Sequence, residues 1–155
     1  MKIYIASSWK NKNRVQGLIS VLRSCGYVIY DFTYHSFNWA DLNLPDAKEE
    51  ALITGRDKLA TKEWMEHPKV CEHYKLDFAA LNACDALIAI FPCGNSTHLE
   101  AGFVAGRGKD IYALSDEPLG RDLLYKLFQK VFSCEADLID FFENETFKKP
   151  VEDKR

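Results

Sequence analysis

The 155-residue sequence has no apolar run near the ~18 residues that a transmembrane helix needs, so no membrane partner is expected. Residues Met1–Ile5 resemble the start of a β-strand, and they lack the long apolar stretch of a signal peptide. Positive charge is not in excess either. With a formal net charge of -3 and a pI of about 5.8, the composition gives no indication of a nucleic-acid polymer as partner.

Paired cysteines are also missing. The five cysteines are scattered, no Cys-x-x-Cys occurs, and their odd number argues against a disulfide framework. A zinc site is not expected, because Cys71 and His73 are closer in sequence than the usual ligand spacing. We therefore expect a reduced, cytoplasmic protein without metal or cofactor. Cys93 has no evident base near it in the sequence.

The residues that are present alternate between strand and helix patterns, which indicates a parallel sheet with right-handed crossovers. We predict a flavodoxin-like three-layer α/β sandwich whose five parallel strands have the order 2-1-3-4-5, with helices on both faces. A single domain is expected over residues 1–143, followed by a charged tail, 144–155. The predicted strands are Ile3–Ala6, Tyr27–Phe32, Asp85–Phe91, Ile111–Leu114 and Val131–Phe132.

Helices are predicted between these strands from apolar residues at one-face spacing. They cover Val15 to Leu22, Arg56–Met65, a helix from Pro68, a helix from Thr97, Arg121–Gln129 and Glu135–Phe142. The segment Thr33–Gly55 is irregular and carries aromatic residues. A connection of this length in a small domain is usually functional or mobile.

Glu100 is the most informative residue. It lies in the first turn of the helix predicted from Thr97, directly after the apolar strand that ends at Phe91. Ligands of open α/β sheets bind outside the carboxyl ends of strands, so a carboxylate here is placed for chemistry. A structural reading is also open, because Thr97-x-x-Glu100 matches a capping box.

Other polar residues are predicted to meet Glu100 at the switch point between the first and third strands. Tyr74 and Asp77 share one helix face at i, i+3 spacing. The first strand and its exit, together with the loop before Glu100, contribute Tyr4, Ser7, Ser8, Lys10 and Ser96.

These stretches resemble the nucleoside 2-deoxyribosyltransferase superfamily, which includes deoxynucleoside 5'-monophosphate N-glycosidases. The resemblance lies in the segments 3–9, 74–77, 84–88, 92–102 and 106–109. It implies that Glu100 is the nucleophile, that Asp77 is the acid near the leaving base, and that Tyr4 positions the nucleophile. It also implies a homodimer or a larger symmetric assembly.

The resemblance further implies a nucleoside or nucleotide as the small-molecule substrate. Ser8 and Lys10 match the phosphate-binding serine and arginine of the monophosphate hydrolases, with lysine replacing arginine. Gly94 stands where well-known transferases have a base-contacting aspartate. The expected substrate-binding residues are Ser7, Ser8, Lys10, Gly94, Asn95 and Ser96.

Three functions follow from this pattern as alternatives. The first is an enzyme that breaks an N-glycosidic bond and passes the sugar to water or to another base. The second is a catalytically silent nucleotide-binding module, since fold does not fix function. The third is an NAD-cleaving glycohydrolase.

Overall fold

The computed structural model describes residues 1–34 and 65–144. All of the predicted helix Arg56–Met65 except its last residue, most of the irregular segment Thr33–Gly55, and nearly all of the tail 144–155 lie outside these residues. The chain forms two compact units, Met1–Thr33 with Leu81–Arg155, and Tyr34–Ala80. The extent of the single domain predicted over residues 1–143 stays a prediction.

The predicted sheet is confirmed. Five parallel strands run in the order β2-β1-β3-β4-β5. They are β1 (Lys2–Ser7), β2 (Val28–Tyr30), β3 (Ala86–Ile90), β4 (Asp110–Leu114) and β5 (Lys130–Phe132). Every residue of β3 is buried, as expected for the central strand of a sheet that is covered on both faces.

Four helices are described. They are α1 (Lys12–Ser24), α2 (Pro68–Ala83), α3 (Asn95–Gly106) and α4 (Glu135–Asn144), with 3₁₀ turns at Trp9–Asn11 and Leu123–Leu127. Within the described residues no helix is both long and apolar enough to cross a bilayer. The helix predicted over Arg121–Gln129 is wrong, because only the short turn Leu123–Leu127 forms there, capped by the Asp122 side chain on the Leu124 amide at 2.8 Å.

Alternation along the strands assigns the side chains to two faces. One face packs against α1 and α4 and forms the main apolar core, whose members include Ile3, Ile5, Ile88, Ile90 and Leu114. The residues between them point to the other face, where α3 contacts β1, β3 and β4. Tyr4 is therefore on the α3 side of the sheet.

A row of alanines supports α3 on that second face. Ala6, Ala89 and Ala113 are register partners across β1, β3 and β4, and all three are buried. Their small side chains let a helix approach closely. The amino-terminal ends of β1 and β3 are also joined, since the Asp85 carboxylate accepts a hydrogen bond from the Lys2 amide at 2.7 Å.

Candidate active site

The structure brings two of the predicted catalytic residues into contact. The Tyr4 hydroxyl donates to Glu100 Oε1 at 3.0 Å, which joins β1 to α3. Tyr4 is 1% exposed, and its ring stacks on that of its register partner Tyr30 with centroids 5.2 Å apart and planes at 16°. The hydroxyl is therefore held by a rigid, buried ring, and the carboxylate that it contacts is oriented from within the sheet.

Glu100 is not in the first turn of its helix, and the predicted capping box is wrong. Helix α3 begins two residues earlier than predicted, at Asn95, with Gly94 as N-cap and no side-chain cap bond. Glu100 is therefore in the second turn, and Thr97 is a buried residue of the first turn. The electrostatic effect of a helix N-terminus fades within one turn, so it contributes little to keeping Glu100 ionised.

The loops after β1 and β3 face each other at the switch point, as predicted. Asn11 Nδ2 donates to Ser7 Oγ at 3.0 Å and to the Pro92 carbonyl at 2.9 Å. Ser7 Oγ in turn donates to the Ile90 carbonyl at 3.0 Å. The Phe91–Pro92 peptide bond is cis. The role of Asn11 in joining these two loops was not predicted from the sequence. The one feature that could have indicated it is the i, i+4 spacing from Ser7 to Asn11.

The remaining predicted binding residues lie at this same carboxyl edge. Ser8 Oγ caps the 3₁₀ turn by accepting from the Lys10 amide at 3.3 Å, and Lys10 is exposed. Asn95 and Ser96 are exposed in the first turn of α3. Because Gly94 has no side chain to cap this turn, its first amides can bind an anionic ligand.

Arg14, the second cation of α1 after Lys12, is paired with two carboxylates. Its guanidinium makes two hydrogen bonds to Asp116, at 2.7 and 2.9 Å, and one to Glu135 at 2.7 Å. Its hydrogen bond to Asp116 is the main factor that raises the Arg14 pKa, and burial opposes it. Two carboxylates therefore neutralise Arg14, whereas Lys10 is exposed in the 3₁₀ turn after β1.

Cys93 has a neighbouring imidazole that the sequence did not suggest. Its sulfur lies 3.9 Å from His98 Nδ1. Burial raises the pKa of the Cys93 thiol, the charge of Glu100 raises this pKa further, and a hydrogen bond with Thr97 lowers it. The thiolate is the nucleophilic form of cysteine, so these effects argue against Cys93 as nucleophile.

Asp77 and Tyr74 belong to the other compact unit, Tyr34–Ala80. Both lie on α2, where Tyr74 stacks on Phe78 with centroids 5.4 Å apart and Asp77 is half-buried. The part of Asp77 in catalysis stays a prediction.

In residues 1–34 and 65–144 no three His, Cys, Asp or Glu side chains gather where they could hold a metal ion. An open depression of about 440 Å³ lies against β5 and α4, and its lining includes Lys130, Asp137 and Asp140. None of the predicted site residues line it.

Comparison with solved structures confirms the resemblance at the level of the fold. A 2-deoxyribosyltransferase from Bacillus psychrosaccharolyticus is 18% identical, with 95% of this chain and 93% of that chain covered and a TM-score of 0.61. A CMP N-glycosidase from Clostridium botulinum is also 18% identical, covers 92% of this chain and 99% of its own, and has a TM-score of 0.53.

A third structure, a conserved protein from Enterococcus faecalis V583, is 19% identical, with 92% and 97% of the two chains covered and a TM-score of 0.58. No protein-family model matches the sequence, and no curated protein sequence matches it. The chain thus has the flavodoxin-like fold of the nucleoside deoxyribosyltransferases.

Proposed function

We propose that this protein breaks the N-glycosidic bond of a (deoxy)nucleoside or its 5'-monophosphate and passes the sugar to water or to another base. The observation that carries this proposal is the hydrogen bond from the Tyr4 hydroxyl to Glu100 at the switch point of the sheet. Two structures that share the fold are named for a deoxyribosyl transfer and for the N-glycosidic cleavage of CMP, which supports the same class of reaction.

In the first step a carboxylate oxygen of Glu100 attacks the anomeric carbon of the sugar. A carbon–oxygen ester bond forms, the carbon–nitrogen bond breaks, and its electron pair leaves with the base. We assign Asp77 as the acid that gives the departing base its proton. In the second step water or an acceptor base attacks the same carbon, loses a proton to Asp77, and releases Glu100.

Tyr4 orients the nucleophile in this scheme. Its buried hydroxyl fixes the plane of the Glu100 carboxylate before substrate arrives, so little ordering is needed at the moment of attack. A hydrogen bond to a carboxylate also favours its ionised form, which is the nucleophilic one.

We further propose that the substrate carries a 5'-phosphate. The uncapped first turn of α3 at Gly94–Ser96, the Ser8 hydroxyl and the exposed Lys10 supply amides, a hydroxyl and a cation at one edge of the sheet. A phosphate accepts from all three kinds of donor.

Two wider expectations remain proposals. A cytoplasmic location is supported by the five cysteines, which are all free thiols. A homodimer is supported by the strongly exposed Leu123 and Leu124, which are 86% and 70% exposed. Sedimentation at micromolar concentration tests the dimer, and a monomer there contradicts it.

The direct test is release of free base from a panel of nucleosides, their monophosphates and NAD, with and without an added acceptor base. We expect base release from a nucleotide substrate. Binding without release supports the silent nucleotide-binding module, and release of nicotinamide from NAD alone supports the glycohydrolase. Exchange with the added base identifies a transferase.

A further inference from the structure

The imidazole of His98 has a partner at each of its ring nitrogens. Nδ1 lies 3.0 Å from the Gly94 carbonyl and 3.9 Å from the Cys93 sulfur, and Nε2 lies 3.1 Å from the Tyr125 hydroxyl. A carbonyl only accepts hydrogen bonds, so Nδ1 must carry the proton. In the neutral ring Nε2 then accepts from the Tyr125 hydroxyl. The contacts thus select one tautomer of His98.

Aromatic packing keeps the ring in this orientation. Phe91, buried just after β3, meets the His98 ring edge-on at 5.7 Å and 83°, and the Tyr125 ring at 6.0 Å and 82°. The His98 and Tyr125 rings stack with centroids 6.0 Å apart and planes at 25°. Such pairs contribute more than their buried area alone, so the ring is fixed although His98 is exposed.

The ring joins two segments that the sheet does not join directly. Gly94 is the N-cap of α3, and Tyr125 belongs to the 3₁₀ turn between β4 and β5, 27 residues from His98. Glu100 follows His98 by two residues on α3. The start of the helix that carries Glu100 is thereby tied to the β4–β5 connection.

We propose that His98 and Tyr125 form a positioning pair that aims Glu100 at the substrate. This inference rests on the proposed function and goes beyond it, since the proposed reaction gives neither residue a chemical step. The Tyr125 bond holds the direction of α3, and the Gly94 bond holds the loop and first turn that bind the phosphate. Small displacements of a reacting group have large effects on rate.

The two bonds can be removed separately. In His98→Asn the side-chain amide keeps an N–H at the position of Nδ1 and loses the group at Nε2; Tyr125→Phe keeps the ring and loses the hydroxyl. We expect each variant to lower kcat about threefold to tenfold with KM unchanged. The double variant should be no slower than either single one, because both substitutions remove the same hydrogen bond between His98 Nε2 and the Tyr125 hydroxyl.

His98→Ala removes both bonds, so kcat falls further and KM for the monophosphate rises. The matched control is Leu99→Ala, since Leu99 is the next residue on α3 and is 75% exposed; its kinetics stay at the wild-type values. Wild-type kcat in His98→Ala, or single effects that multiply in the double variant, overturns the proposal.

A second measurement separates this proposal from the proposed function. Long-range proton–nitrogen spectra of the protein with ¹⁵N-labelled histidine, at a pH where free imidazole is neutral, report the tautomer of each of the four histidines. We expect His98, assigned by its absence from His98→Ala, to be protonated at Nδ1, and its Nε2 signal to move in Tyr125→Phe. The opposite tautomer, or no response to Tyr125→Phe, overturns the pair even if the protein releases no base.

Discussion

Tyr4 and Glu100 are 96 residues apart in sequence, yet the tyrosine hydroxyl lies 3.0 Å from the glutamate carboxylate. One residue is in the core of the sheet, and the other is in the second turn of the helix that follows the central strand. A buried donor has little freedom to move, so the carboxylate is oriented before a substrate binds. The proposed reaction depends on this relationship.

Tyr4→Phe removes the hydroxyl and keeps the ring stacked on Tyr30. A hydrogen bond to a charged group contributes about 1.5–3 kcal/mol, and part of this amount is available to the transition state. We expect kcat to fall about tenfold to a hundredfold, with KM nearly unchanged. Steady-state base release measures both constants.

Tyr27→Phe is the matched control. Tyr27 also donates its hydroxyl, to the Phe142 carbonyl at 2.6 Å, on the side of the sheet that α1 and α4 cover. We expect this variant to lose about 1 kcal/mol of unfolding free energy and to keep its kcat. An unchanged rate in Tyr4→Phe would show that the hydroxyl does not orient the nucleophile.

Lys10→Ala tests whether this protein recognises a 5'-phosphate on its substrate. Loss of the cation raises KM for a nucleoside monophosphate about tenfold and leaves the constants for the plain nucleoside unchanged. The preference for monophosphate also weakens as salt increases, because Lys10 is exposed and its charge is screened. Lys12→Ala, also exposed and at the start of α1, is the control and keeps the preference.

Gly94→Asp tests whether the free amides in the first turn of α3 bind the substrate phosphate. The backbone at Gly94 has φ -93° and ψ -175°, which any residue adopts, and a Cβ there meets open space. An aspartate at this N-cap takes the amides of Ser96 or Thr97 and stabilises the fold by a few tenths of a kcal/mol. Its charge also repels an anion.

We therefore expect the melting temperature of Gly94→Asp to rise slightly while KM for the monophosphate rises severalfold. Gly94→Ala has no acceptor and keeps the monophosphate KM of the wild type. An unchanged monophosphate KM in Gly94→Asp would place the phosphate elsewhere.

The pKa of the Cys93 thiol depends on the charge of Glu100 and can be measured in the absence of substrate. The glutamate charge raises the pKa of the thiol because a negative neighbour disfavours the thiolate. Glu100→Gln removes that charge, so the pKa of Cys93 falls and alkylation reaches half of its maximal rate at a lower pH. Mass spectrometry of the Cys93 peptide follows this rate, and Cys134 in the same sample is the control. A pH profile that does not move shows that Glu100 does not act on the thiol.

The residue pattern was sufficient for the sheet order, whereas the pairing of Tyr4 with Glu100 was expected only from the family resemblance. Alternation along a strand allows Tyr4 only two faces, and the parallel order places β1 beside the strand that precedes Glu100. The start of α3 was misplaced because Thr97-x-x-Glu100 has the form of a capping box. Gly94, which precedes this motif, has the extended backbone of an N-cap, so α3 begins at Asn95 instead.

Other long-range polar contacts could not be predicted from the sequence. Nothing in the spacing of Arg14, Asp116 and Glu135 indicates their ion pairs, which bring together α1, the end of β4 and the start of α4. The His98–Tyr125 contact depends on how the β4–β5 connection folds, and this segment forms a 3₁₀ turn rather than the predicted helix.

The proposed reaction requires that Glu100 becomes covalently bound to the sugar. The most direct measurement is intact-protein and peptide mass spectrometry after incubation with a 2-fluoro-2-deoxy analogue of the best substrate, which slows the second step. We predict one added sugar per active chain, located on Glu100, and no adduct in Glu100→Gln, which still binds substrate but turns over slower by orders of magnitude. An adduct on another residue, or near wild-type base release by Glu100→Gln, would show that Glu100 is not the nucleophile.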